Sequence, residues 1–154
     1  MLTEQHYLAL ERAAEFKSEY FDGEMFAMSG ASMRHADLQS NIQGELFSAL
    51  RSGDCRVYGL DFGIRVSSRM YTYPDISVVC GKPLLADDSQ DSLPNPLVIV
   101  EVLSPSAETY DRGLKFKHYR TIASLQDYIL VTQTEIRIEH YTRQADNLWI
   151  LRDY

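Results

Sequence analysis

Three ionisable residues stand where their neighbours argue against them. Asp75 follows Pro74 at the end of one apolar run, Glu101 lies inside Leu97-Val98-Ile99-Val100-Glu101-Val102-Leu103, and Lys115 follows in Asp111-Arg112-Gly113-Leu114-Lys115. An ionised carboxylate inside an apolar strand is costly unless a cation, a lysine or backbone N–H groups answer it. Hard oxygen donors on neighbouring strands suit Mg²⁺ or Mn²⁺ rather than zinc. Asp75 and Glu101, with the backbone carbonyl of Val102, would hold such an ion and leave positions for water and a phosphate oxygen. A nearby lysine can orient or deprotonate an attacking water and offset charge developing on the phosphate. Acid, acid, lysine in this order is the arrangement of a metal-dependent phosphodiesterase core.

The elements that must position these residues can be read in order. Thr3 caps an expected helix over roughly residues 4–15. Asp22-Gly23 between aromatic-rich runs predicts a tight hairpin, because a type I′ turn needs positive φ at both central residues. Leu38, Ile42, Leu46 and Ala49 recur at helical spacing from Ser32 or Met33 to about Ser52, with Gly53 as the stop. Strands are expected over 55–59, 63–67 and 70–79. The segment Lys82 to Pro96, with Asp87, Asp88, Asp91 and three prolines, reads as a solvated loop. The continuous apolar run 97–103 predicts a central strand covered on both faces, and Ser104-Pro105-Ser106 ends it. A helix over about 110–121 and strands at 128–131, 135–141 and 148–151 complete the chain. The class is mixed α/β (α+β): a central mixed sheet flanked by helices, with an N-terminal helix and β-hairpin.

The 154 residues make one expected domain, 1–154, with 45% hydrophobic and 24% charged residues. No apolar run has the ~20 residues of a membrane span, and the N-terminus lacks the pattern of a secretory signal, so a cytoplasmic location is expected. Cys55 and Cys80 show no paired spacing and are expected as reduced, buried thiols. A net charge of −7 argues against a sequence-independent nucleic-acid binder held by bulk electrostatics. It leaves room for a nuclease, since carboxylates that hold a metal are part of the negative count.

Glu19-Tyr20-Phe21-Asp22-Gly23-Glu24, His35, Tyr73-Pro74-Asp75-Ile76, Val100-Glu101-Val102-Leu103-Ser104-Pro105-Ser106, Asp111 through Lys115, Tyr119 and Tyr128-Ile129-Leu130-Val131 together resemble the Uma-two family of bacterial proteins. That family belongs to the PD-(D/E)XK restriction-endonuclease-like superfamily, and the resemblance covers nearly the whole chain. It implies a restriction-endonuclease-like fold, with Asp75 and Glu101 as metal ligands. The superfamily's lysine normally lies two residues after the second acid, where Leu103 stands here; the resemblance moves that role to Lys115 on the next helix, ahead of Lys117. Glu19 matches the family's N-terminal glutamate and is expected to add an acid to the site. DNA as substrate and a homodimeric state are further implications. Members continue beyond the equivalent of Tyr154, so the chain reads as truncated or as a short member.

Other residues have blander readings. Asp111 near a helix start reads as an acid favoured by the helix dipole rather than as a metal ligand. His35 reads as a surface or capping residue before a substrate contact or general acid. Arg112, Lys115, Lys117, His118 and Arg120 form a basic cluster, a phosphate-binding patch or a solvated helix face. Tyr71, Tyr73, Tyr119 and Tyr128 read as packing residues with wet hydroxyls. The expected function is a divalent-metal-dependent nuclease acting by in-line attack of water, with a catalytically inactive nucleic-acid- or protein-binding module as the alternative. The two part on whether Lys115 reaches the pocket of Asp75 and Glu101.

Overall fold

A computed structural model describes residues 1–86 and 92–154. Its elements run α1 (Glu4–Ala13), β1 (Ser18–Phe21), β2 (Glu24–Ala27), α2 (Met33–Leu50), β3 (Cys55–Tyr58), β4 (Gly63–Ser67), β5 (Met70–Thr72), β6 (Ile76–Cys80), β7 (Ser92–Leu93) and β8 (Val98–Val102). A helical stretch follows, made of α3 (Glu108–Tyr110), a π-helical turn (Asp111–Lys115) and α4 (Phe116–Tyr119), and then β9 (Asp127–Val131), β10 (Ile138–Arg143) and β11 (Trp149–Asp153). Thr3 caps α1 by accepting from the His6 amide, and Ser32 caps α2 by accepting from His35. Asp22 and Gly23 take φ of 51° and 91° between β1 and β2, the positive values a two-residue hairpin demands.

The mixed α+β class expected from the sequence holds, with the strands divided between two sheets: β2-β1-β5-β4-β7 and β11-β10-β9-β8-β6-β3. The expected strand 70–79 is two strands, one in each sheet. Tyr73-Pro74-Asp75 carries the chain between them, because Pro74 has no N–H to give a ladder. Part of the expected loop 82–96 forms β7, which pairs in parallel with β4 through Gly63↔Ser92 and Ile64↔Leu93; Asp87, Asp88 and Asp91 lie outside the described residues. The strand expected from Glu135 begins at Ile138. Cys55 and Cys80 face each other in register across the antiparallel β3–β6 pair and form a disulfide, Cα atoms 3.9 Å apart, where free thiols were expected. Sequence spacing of 25 residues hid a cross-strand neighbour.

β8 is central, antiparallel to β6 and parallel to β9. Its alternation decides what faces what. Ile99 points with Leu103 into the larger core of Phe116, Tyr119, Tyr128 and Leu130, whereas Val98 and Val100 join Ile76, Ile129 and Val131 beneath Ile42 and Leu46 of α2. Glu101 takes the face of Ile99, toward the π turn, and is 4% exposed. Burying each such aliphatic side chain is worth roughly 1.5–3 kcal/mol, so β8 is fixed from both sides and the carboxylate it carries has little freedom. No helix among the described residues is long and apolar enough to cross a membrane.

Candidate functional site

Asp75 leaves the inter-sheet crossover with every polar atom engaged. Its Oδ2 accepts the Val102 amide at 2.6 Å, its Oδ1 lies 2.8 Å from His35 Nε2, and its carbonyl accepts Gln39 Nε2 at 3.0 Å. His35 and Gln39 sit one turn apart on α2, so a single helix face orients the aspartate. The Asp75 amide in turn donates to Glu101 Oε2 at 3.4 Å. Glu101 Oε1 accepts from Tyr119 Oη at 3.1 Å and from Lys115 Nζ at 2.8 Å. Lys115 Nζ also lies 3.2 Å from Glu19 Oε1 and 3.7 Å from Asp111 Oδ1. Thr72 donates to Glu19 and stands 3.2 Å from Tyr119 Oη, which joins the hairpin to the helix. The π turn widens the helix where Asp111 and Lys115 both face inward, the kind of local widening that recurs at functional sites.

The charges do not balance. Glu19, Glu101 and Asp111 gather around Lys115, the one lysine buried with them among the described residues, and Asp75 stands beside Glu101, paired with His35. Burial pushes Glu101 up to about 8; Lys115 pulls it back, and Asp111 and Asp75 push it further. Asp111 rises to about 6, chiefly by burial, with Lys115 opposing and Glu19 and Asp75 adding to the rise. Burial opposes the charge on Lys115, but Glu101, the Tyr119 hydroxyl, Glu19 and Asp111 outweigh it and hold the ammonium well above its ordinary value. Lys115 is therefore a permanent cation, a donor rather than a base. His35 is raised by its bond to Asp75, against the pull of burial.

A cavity of about 660 Å³ opens onto these groups, lined by Glu19, Asp75, Glu101, Val102, Asp111 and Lys115 together with the Ser104-Pro105-Ser106 turn. The residues singled out from the sequence thus converge. Two more join them. Asp111 was expected at the helix dipole and lies 4% exposed on the cavity wall, and His35, expected at the surface, lies against Asp75. Asp111 had its spacing of four from Lys115 and its place in the family resemblance; His35 had the resemblance alone, since its partner is 40 residues away. The basic cluster splits: Arg112 is taken by Glu139 and Glu108, Lys115 is buried and His118 packs its ring edge on Phe21, whereas Lys117 and Arg120 stay exposed. The tyrosine hydroxyls expected to be wet are bonded, Tyr71 to Glu4, Tyr119 to Glu101 and Tyr128 to the Asp111 carbonyl.

Among the described residues no three His, Cys, Asp or Glu side chains converge as a ready-made metal cage. The donor set nonetheless fits a hard divalent ion of the magnesium type, which binds through one or two carboxylates and keeps its waters. Three carboxylates around one lysine, with Asp75 beside them and Glu101 lifted to about 8, are an electrostatic deficit that an added cation would relieve.

A two-sheet α+β protein with an aspartate at an inter-sheet crossover, a glutamate in the adjoining central strand and a helical lysine between them defines a narrow class. The chain belongs to the Uma2 family, described as "Putative restriction endonuclease", whose model matches residues 4–154. It is 38% identical over 154 residues to the uncharacterized protein slr1290 of Synechocystis sp., covering 99% of this chain and 80% of that one. It is 37% identical to the uncharacterized protein sll1609 of the same organism, covering 99% of this chain and 87% of that one. A crystal structure described as a putative nuclease belonging to DUF820 from Anabaena variabilis shares the fold, with a TM-score of 0.79 at 21% identity over 100% of this chain and 84% of that one.

Proposed function

We propose that this protein is a divalent-metal-dependent nuclease that hydrolyses phosphodiester bonds, with DNA as its substrate. The observation that carries the reading is the convergence of Lys115 with Asp75 and Glu101 in one cavity, which a binding module has no need to build. Asp75 and Glu101, with the Val102 carbonyl, would hold Mg²⁺ or Mn²⁺, which when bound would polarise a phosphate oxygen and acidify water. The chain's own groups do the rest. His35, Gln39 and the Val102 amide fix the Asp75 carboxylate, and Tyr119 fixes Glu101. Lys115, held protonated, donates to the attacking water or to the phosphate oxygen on which charge builds, and Glu19 keeps that ammonium in place. Attack proceeds in line with the leaving oxygen. Purified protein should nick supercoiled DNA or degrade single-stranded DNA with Mg²⁺ or Mn²⁺, and a folded Asp75→Ala, Glu101→Ala double variant should not. Equal cleavage by the variant, or none by either protein together with no metal binding by calorimetry, would sink the nuclease reading.

A further inference from the structure

The cation supply around the site is small. The main cavity is lined by Glu19, Asp61, Asp75, Glu101 and Asp111 against Lys17, Lys115 and His35. A second cavity of about 270 Å³ adjoins it, sharing Ser32, Pro105 and Gln133, and adds Arg34 with Glu108 and Glu135. Lys115 is buried at the reacting centre among carboxylates, away from the flanking phosphates, and His35 is paired with Asp75. Glu108 and Glu135 are paired with Arg112 and Arg137. Among the described residues, Lys17 and Arg34 are the lining cations that form no ion pair, one in each cavity. Lys17 is steadied at the rim by its ammonium 5.0 Å from the centre of the Tyr73 ring.

We infer that the substrate engages the site as a single strand, with the base next to the scissile phosphate stacked on Phe26 and flanking phosphates at Lys17 and Arg34. The inference rests on the nuclease reading and names its substrate class. A duplex brings one charge per about 1.7 Å of axis, and its binders commonly neutralise about 6–10 phosphates. The two cavities themselves offer two such cations, Lys17 and Arg34. They do match the short footprint of a strand whose remaining affinity comes from stacking. Phe26 supplies the platform: it lines the main cavity, leaves the end of β2 48% exposed, and so offers a ring that the protein's own core does not cover. A base pair holds its bases stacked and out of reach of a ring inside a cavity, so an unpaired nucleotide is the form that fits.

The test compares a short fluorescein-labelled DNA single strand with the same strand annealed to its complement, by anisotropy in calcium buffer across a salt series. The single strand should bind roughly tenfold tighter or better. The slope of log K against log salt should lie near about −1.4, the value for two neutralised phosphates on a single strand. Phe26→Ala should weaken single-strand binding by roughly five- to 150-fold, with Phe26→Trp restoring it. Lys17→Ala or Arg34→Ala should each reduce the slope by about 0.7. Tighter binding of the duplex, binding of neither probe, or indifference to Phe26→Ala with circular dichroism unchanged would overturn the inference. Duplex binding with metal-dependent cleavage would do so while leaving the nuclease standing. Single-strand binding with the expected slope and Phe26 dependence, but with neither cleavage nor metal binding, supports the single-strand surface at Phe26, Lys17 and Arg34 and removes the nuclease reading.

Discussion

Replacing Glu101 by glutamine should abolish metal-dependent cleavage and yet stabilise the metal-free protein at alkaline pH. Glu101 is 4% exposed and its carboxyl is pushed from an ordinary 4.5 to about 8. A carboxyl raised on folding favours the folded state while protonated, so its contribution is intact below about 4.5 and is lost as pH climbs through about 8. Linkage between those two values puts the penalty at about 4 kcal/mol at pH 8 and under about 1 kcal/mol at pH 5. Wild-type protein in EDTA should therefore lose about 3 kcal/mol over that interval from this group, on the order of 6–12 °C in Tm for a chain of this size. Glutamine keeps the shape, accepts from Tyr119 and Lys115 through its carbonyl, gives up the long 3.4 Å bond from the Asp75 amide, and does not titrate.

Chemical denaturation of both proteins in EDTA at pH 5, 6, 7 and 8 measures this directly. Titrations remote from the cluster cancel in the difference, which reports Glu101 with its coupled neighbours Asp111 and Lys115 and should open with pH in favour of the variant. Saturating Mg²⁺ should close the gap by stabilising the wild type alone, because a ligand that binds only the folded state adds its binding free energy to stability. A difference that stays flat from pH 5 to 8, or one that favours wild type in EDTA, would refute the picture of an acid-rich cluster short of positive charge.

Three other perturbations test the surroundings. Lys115→Met leaves Glu19, Glu101 and Asp111 buried without their cation, so it should eliminate cleavage and cost about 3–5 kcal/mol at pH 8 by denaturant titration, with a smaller loss at pH 5 where the carboxyls take up protons. Arg112→Met removes the guanidinium that ties the π turn to Glu139 on β10; Glu139 keeps Arg137 at 3.5 Å, so a loss of about 2 kcal/mol is expected, measured with cleavage largely retained. Mass spectrometry with and without reductant should show Cys55 and Cys80 joined, and reduction should lower stability by up to about 3.5 kcal/mol, as for a loop of 25 residues, without removing activity, since neither sulfur lines the cavity.

What could be read from the sequence depended on how far each relation reached along the chain. The hairpin was legible because Asp22 and Gly23 declare their own backbone angles, and α1 and α2 because Thr3 and Ser32 precede periodic helices. Glu101 was legible because an acid in an apolar run is anomalous wherever the strand goes. His35 was not: nothing near it marks Asp75 as its partner, and only the packing of α2 over β8 and β6 brings them to 2.8 Å. The inter-sheet break at Pro74 and the Cys55–Cys80 pair were hidden likewise, because a strand run in sequence does not say which sheet each half joins.

Asp111 shows the subtler failure. An acid beside a helix start is adequately explained by the dipole, and that local account left no residue demanding a second one. The π turn changes the outcome, since one extra residue in the turn brings Asp111 and Lys115 inward together while Phe116 still reaches the core. Asp111 and Lys115, four residues apart, share one face of the helix, and the lysine that the sequence displaced from position 103 to that helix reaches Glu101 at 2.8 Å through this turn. The geometry of that turn, more than the identity of the lysine alone, is what joins the helix to the site.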